Sequence, residues 1–150
     1  MEKMGPGKAN PTGNVQVLID SDAFVGWMLA KDAHHQQTVQ IFERLIEDQV
    51  AIATTNLVVG ETATVLSHRQ GQALAKTFLD QVIEASDFPI IFIDEDLHQQ
   101  ALDIFKQQTK RGISLTDCAN VAVIQRFGIT SIFSFDRFYT KEFGLNLADE

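Results

Sequence analysis

Cysteine is nearly absent from this 150-residue chain, and basic residues are outnumbered by acidic ones. The single cysteine, Cys118, cannot close an internal disulfide, which fits a reducing compartment and predicts a buried, inert thiol. Without a Cys/His cluster a zinc centre is not expected. No apolar run approaches the ~20 residues that span a bilayer, and no basic stretch leads into a long apolar one near the N-terminus. The expectation is therefore a protein without a membrane association, working in the cytoplasm. Twelve Lys and Arg face twenty Asp and Glu, a net charge of -8. That balance argues against generic nucleic-acid binding, which draws on a Lys/Arg excess. The objection weakens if several acids converge on one cation, or if a basic protein partner binds.

Prolines are few, and two of the three, Pro6 and Pro11, fall with Gly5, Gly7 and Gly13 in a stretch without apolar period. Residues 1–14 read as a loose extension and residues 15–150 as one domain with a single well-buried core. Val15 to Ile19 is a short β-branched apolar run that reads as a strand. Val50 to Thr54, Ile90 to Ile93 and Thr130 to Phe133 repeat that pattern, and Leu145 to Leu147 is a fifth, shorter instance. Helical spacing separates them: Val39, Phe42, Leu45 and Ile46 on a helix starting near His34 or His35; Leu57 to His68, with Gly71 as a break; Leu74, Phe78, Val82 and Ala85; Leu97, Ala101, Ile104 and Phe105. Cys118 to Ile124 is apolar nearly all round and predicts a central helix. Alternation of this kind implies an α/β/α sandwich around a mostly parallel sheet of four to five strands, with ligands at the strands' carboxyl ends.

Acids sit where that architecture places ligands. Asp20 and Asp136 each follow an apolar strand directly, although either residue also suits the cap of a turn or helix. Glu61 has Leu57, Val58 and Val65 at i-4, i-3 and i+4, which predicts a carboxylate on its helix's apolar stripe, where an unpaired charge is costly. Asp117 lies three residues after Ser114 in a capping-box spacing, and the same helix start would aim it at the sheet rim. Asp22 reads first as N-cap of a helix starting at Ala23, with ligation as the alternative. His34 and His35 read as a solvated helix start, and the phenylalanines as core packing rather than a base-stacking platform. Lys110, Arg111 and Arg137 flank the rim as surface charge or phosphate contacts. A carboxylate set of this composition suits Mg²⁺ or Mn²⁺.

The motifs Val-Leu-Ile-Asp20-Ser-Asp22, Thr54-Thr-Asn-Leu-Val-Val-Gly-Glu61, Ser114-Leu-Thr-Asp117 and Ser134-Phe-Asp136-Arg-Phe, in this order and spacing, resemble those of PIN domains. Within that family the chain is most similar to the VapC toxins of bacterial toxin–antitoxin pairs, from Val15 to about Leu147. The resemblance implies an endoribonuclease that leaves 5′-phosphate and 3′-hydroxyl ends, with Asp20, Glu61 and Asp117 as core metal-binding acids, Asp136 as the fourth, and Thr116 and Ser134 hydrogen-bonding around them. It also implies a homodimer and an antitoxin that inserts a basic side chain into the site. Asp22 departs from the family's usual small neutral residue at that position and would be a fifth carboxylate. Closely spaced acids cannot all ionise cheaply without cations.

Two other readings fit parts of the chain. Asp20-Ser-Asp22 resembles the start of a haloacid-dehalogenase-type phosphatase, with Asp20 as nucleophile, but Phe24 replaces that motif's Thr or Val. A PIN-like module that binds RNA without cutting it is the non-enzymatic alternative.

Overall fold

The computed structural model describes residues 14–148, so the extension expected over residues 1–14 lies, Asn14 apart, outside the described residues. In chain order the elements are β1 (Val17–Ile19), α1 (Ser21–Met28), α2 (His35–Glu47), β2 (Ile52–Thr55), α3 (Asn56–Arg69) and α4 (Gln72–Thr77) with a π-helical continuation (Phe78–Glu84). There follow β3 (Ile90–Ile91), α5 (Glu95–Lys106), α6 (Leu115–Phe127), β4 (Ser131–Phe133), α7 (Phe138–Phe143) and β5 (Asn146–Leu147). The strands form one parallel sheet in the order β3-β2-β1-β4-β5. The expected α/β sandwich is what forms.

Because successive strand residues face opposite ways, each strand feeds two cores. Leu18, Ala53, Ile91 and Ile132 pack with Leu97, Ala101 and Ile104 of α5, the α6 run, and Phe138 and Tyr139 of α7. Val17, Ile19 and Phe133 face the other way onto Phe24, Phe42, Leu66 and Phe78. Every residue from Cys118 to Ile124 is buried, as the all-round apolar run predicts.

Two segments differ from expectation. The stripe Leu74, Phe78, Val82 and Ala85 assumes a regular α-helix, but the wider π turn advances the face by five residues, marked by Ala85 N–H donating to Asp80 O at 2.8 Å. Ala75, Phe78 and Ile83 are therefore the buried positions, and Leu74 and Val82 are partly buried. Helix α7, too short to show a period, was not anticipated. Its buried Phe138 and Tyr139 anchor it, and Gly144, at φ 65°, turns the chain into β5.

Helices α1 and α2 meet at Gly26. A Cβ there would lie 2.7 Å from Thr38 Oγ1, and the Gly26 carbonyl lies 2.8 Å from His35 Nδ1. Thr38 is fully buried and its hydroxyl has no hydrogen-bond partner. Gly26→Ala is expected to destabilise the fold by about 1–3 kcal/mol through this overlap. Thr38→Ala removes the opposing oxygen, so Gly26→Ala should cost measurably less in that background. Urea unfolding of the four proteins tests it, and equal costs in both backgrounds would contradict the contact.

Candidate active site

From β1 the chain builds outward to β2 and β3, then returns to place β4 on the other flank of β1. Ligands in parallel sheets bind outside the strands' carboxyl ends at such a switch point. Asp20 follows β1 and the Ser134–Asp136 loop follows β4, tied together by Asp20 N–H donating to Phe133 O at 3.0 Å.

Asp20, only 4% exposed, is itself the N-cap of α1, accepting from Ser21 N at 2.8 Å. This corrects the reading of Asp22 as the cap. The helix starts two residues before Ala23, so Asp22 lies in its first turn and faces the loop after β4. There Asp22 Oδ2 accepts from Phe135 N at 2.8 Å and Ser134 Oγ at 3.2 Å, while its Oδ1 is buried without a partner among the described residues.

Asp117 arrives on the N-terminus of α6 in a complete capping box: Ser114 Oγ accepts from Asp117 N, and Asp117 Oδ2 from Ser114 N, both at 3.0 Å. Capping uses one oxygen and leaves the other, Oδ1, 3.2 Å from the Tyr139 hydroxyl. That hydroxyl also lies 3.0 Å from Asp20 Oδ2. Asn120 Nδ2 donates to both Tyr139 Oη, at 3.0 Å, and Asp20 Oδ1, at 3.1 Å. Tyr139 thus has two carboxylates within reach and one proton to give.

Glu61 comes from α3 and accepts from Ser21 Oγ at 2.6 Å. It is half-buried, not on the helix's core stripe. The buried face of α3 is Val58, Thr62 and Leu66, and Glu61 stands on its flank, where it can meet both water and the rim. Asp136 is exposed; its Oδ1 accepts from Phe138 N at 2.9 Å, and its N–H donates to Ser134 Oγ at 3.1 Å. Ser134 therefore links Asp22 to Asp136. Thr116, half-buried in the first turn of α6, makes no side-chain hydrogen bond among the described residues.

Burial, followed by the charge of Asp22, pushes the Asp20 carboxyl up to about 8. Burial also raises Asp22, to about 6, against the opposing hydrogen bonds from Phe135 and Ser134. Asp117 is raised chiefly by burial, with a further push from Asp136. Tyr139 is held well above its ordinary value by burial and by Asp20 and Asp117, so it stays a neutral donor. Burial raises the Cys118 thiol to about 11, matching the expected inert cysteine.

Hard carboxylate oxygens, one of them buried and unpartnered on Asp22, fit a divalent cation. As the side chains stand, no group of three or more Asp, Glu, His or Cys among the described residues is gathered closely enough to hold an ion. Asp20, Asp22, Asp117 and Asp136 each turn one oxygen to a backbone N–H.

Beside Asp136, the residues Lys110, Arg111, Arg137 and Lys141 line a groove of about 260 Å³ with Glu142, which pairs with Lys110 at 3.1 Å. The three basic residues singled out from sequence thus share one groove. Ser21, Asn120 and Tyr139 were not singled out. Asn120 carries a signal in retrospect, as a polar residue inside an apolar run one helical turn beyond Asp117. Tyr139 carries none, because its role depends on where α7 folds back.

The PIN domain family model matches residues 17–141. The chain is 30% identical to the VapC ribonuclease of Archaeoglobus fulgidus over 123 residues, 81% of this chain and 78% of that protein. It is 26% identical to the 23S rRNA-specific endonuclease VapC20 of Mycobacterium tuberculosis over 124 residues, 80% of this chain and 88% of that one. The crystal structure of M. tuberculosis VapC20, a sarcin-ricin loop cleaving toxin, superposes with a TM-score of 0.74 at 23% identity, covering 87% of this chain and 97% of VapC20. FitAB bound to a DNA fragment matches in fold, with a TM-score of 0.64 at 14% identity over 90% of this chain and 96% of that one. These matches set aside the haloacid-dehalogenase alternative. On the family model and the A. fulgidus relative together, the chain belongs to the PIN domain family.

Proposed function

We propose that this chain is a divalent-metal-dependent endoribonuclease and the toxin of a toxin–antitoxin pair. The observation that carries the reading is the convergence of Asp20, Asp22, Asp117, Asp136 and Glu61, from four separate segments, on the rim at the sheet's switch point. The ribonuclease names of the sequence relatives support the choice of RNA.

On this reading Asp20, Glu61 and Asp117 would hold Mg²⁺ or Mn²⁺, with Asp136 and Asp22 completing the set. The bound cation supplies charge compensation and Lewis-acid polarisation of the scissile phosphate. Asn120, Tyr139 and Ser21 N fix the orientation of Asp20, an outer set of contacts of the kind that tunes metal sites. An ionised carboxylate at the rim orients the attacking water in line with the leaving 3′-oxygen and accepts its proton as the new P–O bond forms and the P–O3′ bond breaks, the 3′-oxygen taking its proton from solvent. Lys110, Arg111 and Arg137 take flanking phosphates, which offsets the acidic balance of the whole chain where the substrate runs. Homodimerisation, a cytoplasmic location and an antitoxin whose basic side chain enters the acidic site belong to the same proposal. No helix among the described residues is long and apolar enough to cross a membrane.

Purified protein incubated with a total RNA or tRNA pool and Mn²⁺ is expected to cleave, and EDTA, Asp20→Asn and Asp117→Asn are each expected to lower the rate about 100-fold or more. Cleavage persisting in either variant would remove that residue from the site. RNA binding without cleavage by the wild type would favour the non-catalytic module.

A second expectation concerns the cation-free protein. Asp20, Asp22 and Asp117 hold their protons more tightly folded than unfolded, so the folded state binds more protons between the ordinary carboxylate pKa and about 8. Stability must then fall as pH rises through that window. The melting temperature in EDTA should drop by several degrees from pH 5 to pH 8, and Mn²⁺ should restore more of it at pH 8 than at pH 5. Asp22→Asn should flatten the drop; an unchanged slope would show that Asp22 is not a source of it.

A further inference from the structure

Beside the carboxylates, His34 and Phe135 stack face to face, with ring centroids 4.0 Å apart and planes inclined by 6°. Phe135 is braced from behind by the buried Phe133, edge to face at 5.9 Å. Its backbone N–H is the donor to Asp22, so the stack is fixed relative to the acids. His34 is exposed, and its imidazole makes no cap hydrogen bond to α2 although the residue sits at that helix's N-cap.

His34 forms one wall of a pocket of about 180 Å³. Val25 and Val65 give it apolar surface, and Ser21 and Asp22 border it on the side of the acids. Its polar edge is the Arg69 guanidinium paired with Asp32 at 2.8 Å, offering N–H donors beside carboxylate acceptors. A stacking wall, apolar sides and an edge with both donors and acceptors are what a single flat heterocycle needs, and the volume admits one. We propose that this pocket is a nucleobase subsite, in which the base next to the scissile phosphate stacks on His34 and presents its polar edge to Arg69 and Asp32.

The inference rests on the ribonuclease reading for the nature of the ligand, and the two are separable by experiment. The probe is a set of single-stranded RNA dodecamers, each carrying 2-aminopurine at a different position, bound in the presence of Mn²⁺ by protein with Asp117→Asn to prevent cleavage. Stacking of the probe base on the imidazole is expected to quench 2-aminopurine at one or two positions only. Adding His34→Ala should abolish that quench and weaken binding about tenfold, within the range for one base on one aromatic side chain. His34→Phe should keep the quench and bind within about twofold. A matching circular dichroism spectrum and melting temperature check that the variants fold. Three results would overturn the subsite: no position-specific quench, a quench that survives His34→Ala, or His34→Phe failing as His34→Ala does. Mn²⁺-dependent cleavage by the wild type, assayed in parallel, decides the ribonuclease reading independently of all three.

Discussion

The organising constraint in this molecule is a carboxylate buried where the sheet's connections diverge. Asp20 is 4% exposed and has other acids around it, so its charge is costly in the absence of a cation. The fold holds it in place by surrounding it with donors from three directions: Ser21 N at the start of α1, Asn120 on α6, and the Tyr139 hydroxyl on α7. Those contacts join the end of β1 to three helices, and α6 and α7 are linked to each other there through Asn120, Tyr139 and Asp117. Core packing and site assembly are thus the same event. Tyr139 packs in the apolar core by its ring while its hydroxyl reaches Asp20 and Asp117.

An acidic protein that acts on a polyanion must separate its charges in space. Here Lys110, Arg111, Arg137 and Lys141 are gathered in one groove beside Asp136, and Arg69 lines a separate pocket that Asp22 borders. Net charge averages over this arrangement and conceals it. The sum of -8 is therefore weak evidence against an RNA substrate.

The fold was legible because its signals are local. Short β-branched runs ending in Asp, and the fully apolar Cys118–Ile124, mark a buried parallel sheet and a central helix without reference to anything distant. What escaped depended on the tertiary structure or on irregular backbone. The π turn after Thr77 moved a core face by one position, and α7 gave no period in six residues. At the site, Asp20, Asp117 and Asp136 were legible from chain position, because the carboxyl end of a parallel strand or the start of its neighbouring helix can face only one rim. Glu61 was singled out by an argument that the structure amends: it stands beside the apolar stripe, not on it. Asp22 was given a cap that belongs to Asp20. Adjacent acids at a strand end offer no local signal to choose between them, and the choice is made by Phe135 N and Ser134 from a segment more than a hundred residues away.

Capping a helix start does not use up a carboxylate. Asp20, Asp117 and Asp136 all satisfy backbone N–H groups at helix starts, which taken singly is the ordinary explanation for each. A capping carboxylate, however, is held in a fixed orientation by one bond and has lone pairs to spare. Asp117 makes the division plain, with Oδ2 closing the capping box and Oδ1 turned to Tyr139 and the rim. Where several helices begin at the carboxyl end of one parallel sheet, their caps lie along the same rim, so the residue type that starts a helix there also sets an oriented carboxylate on it. The local rule that makes each acid unremarkable by itself is what assembles them.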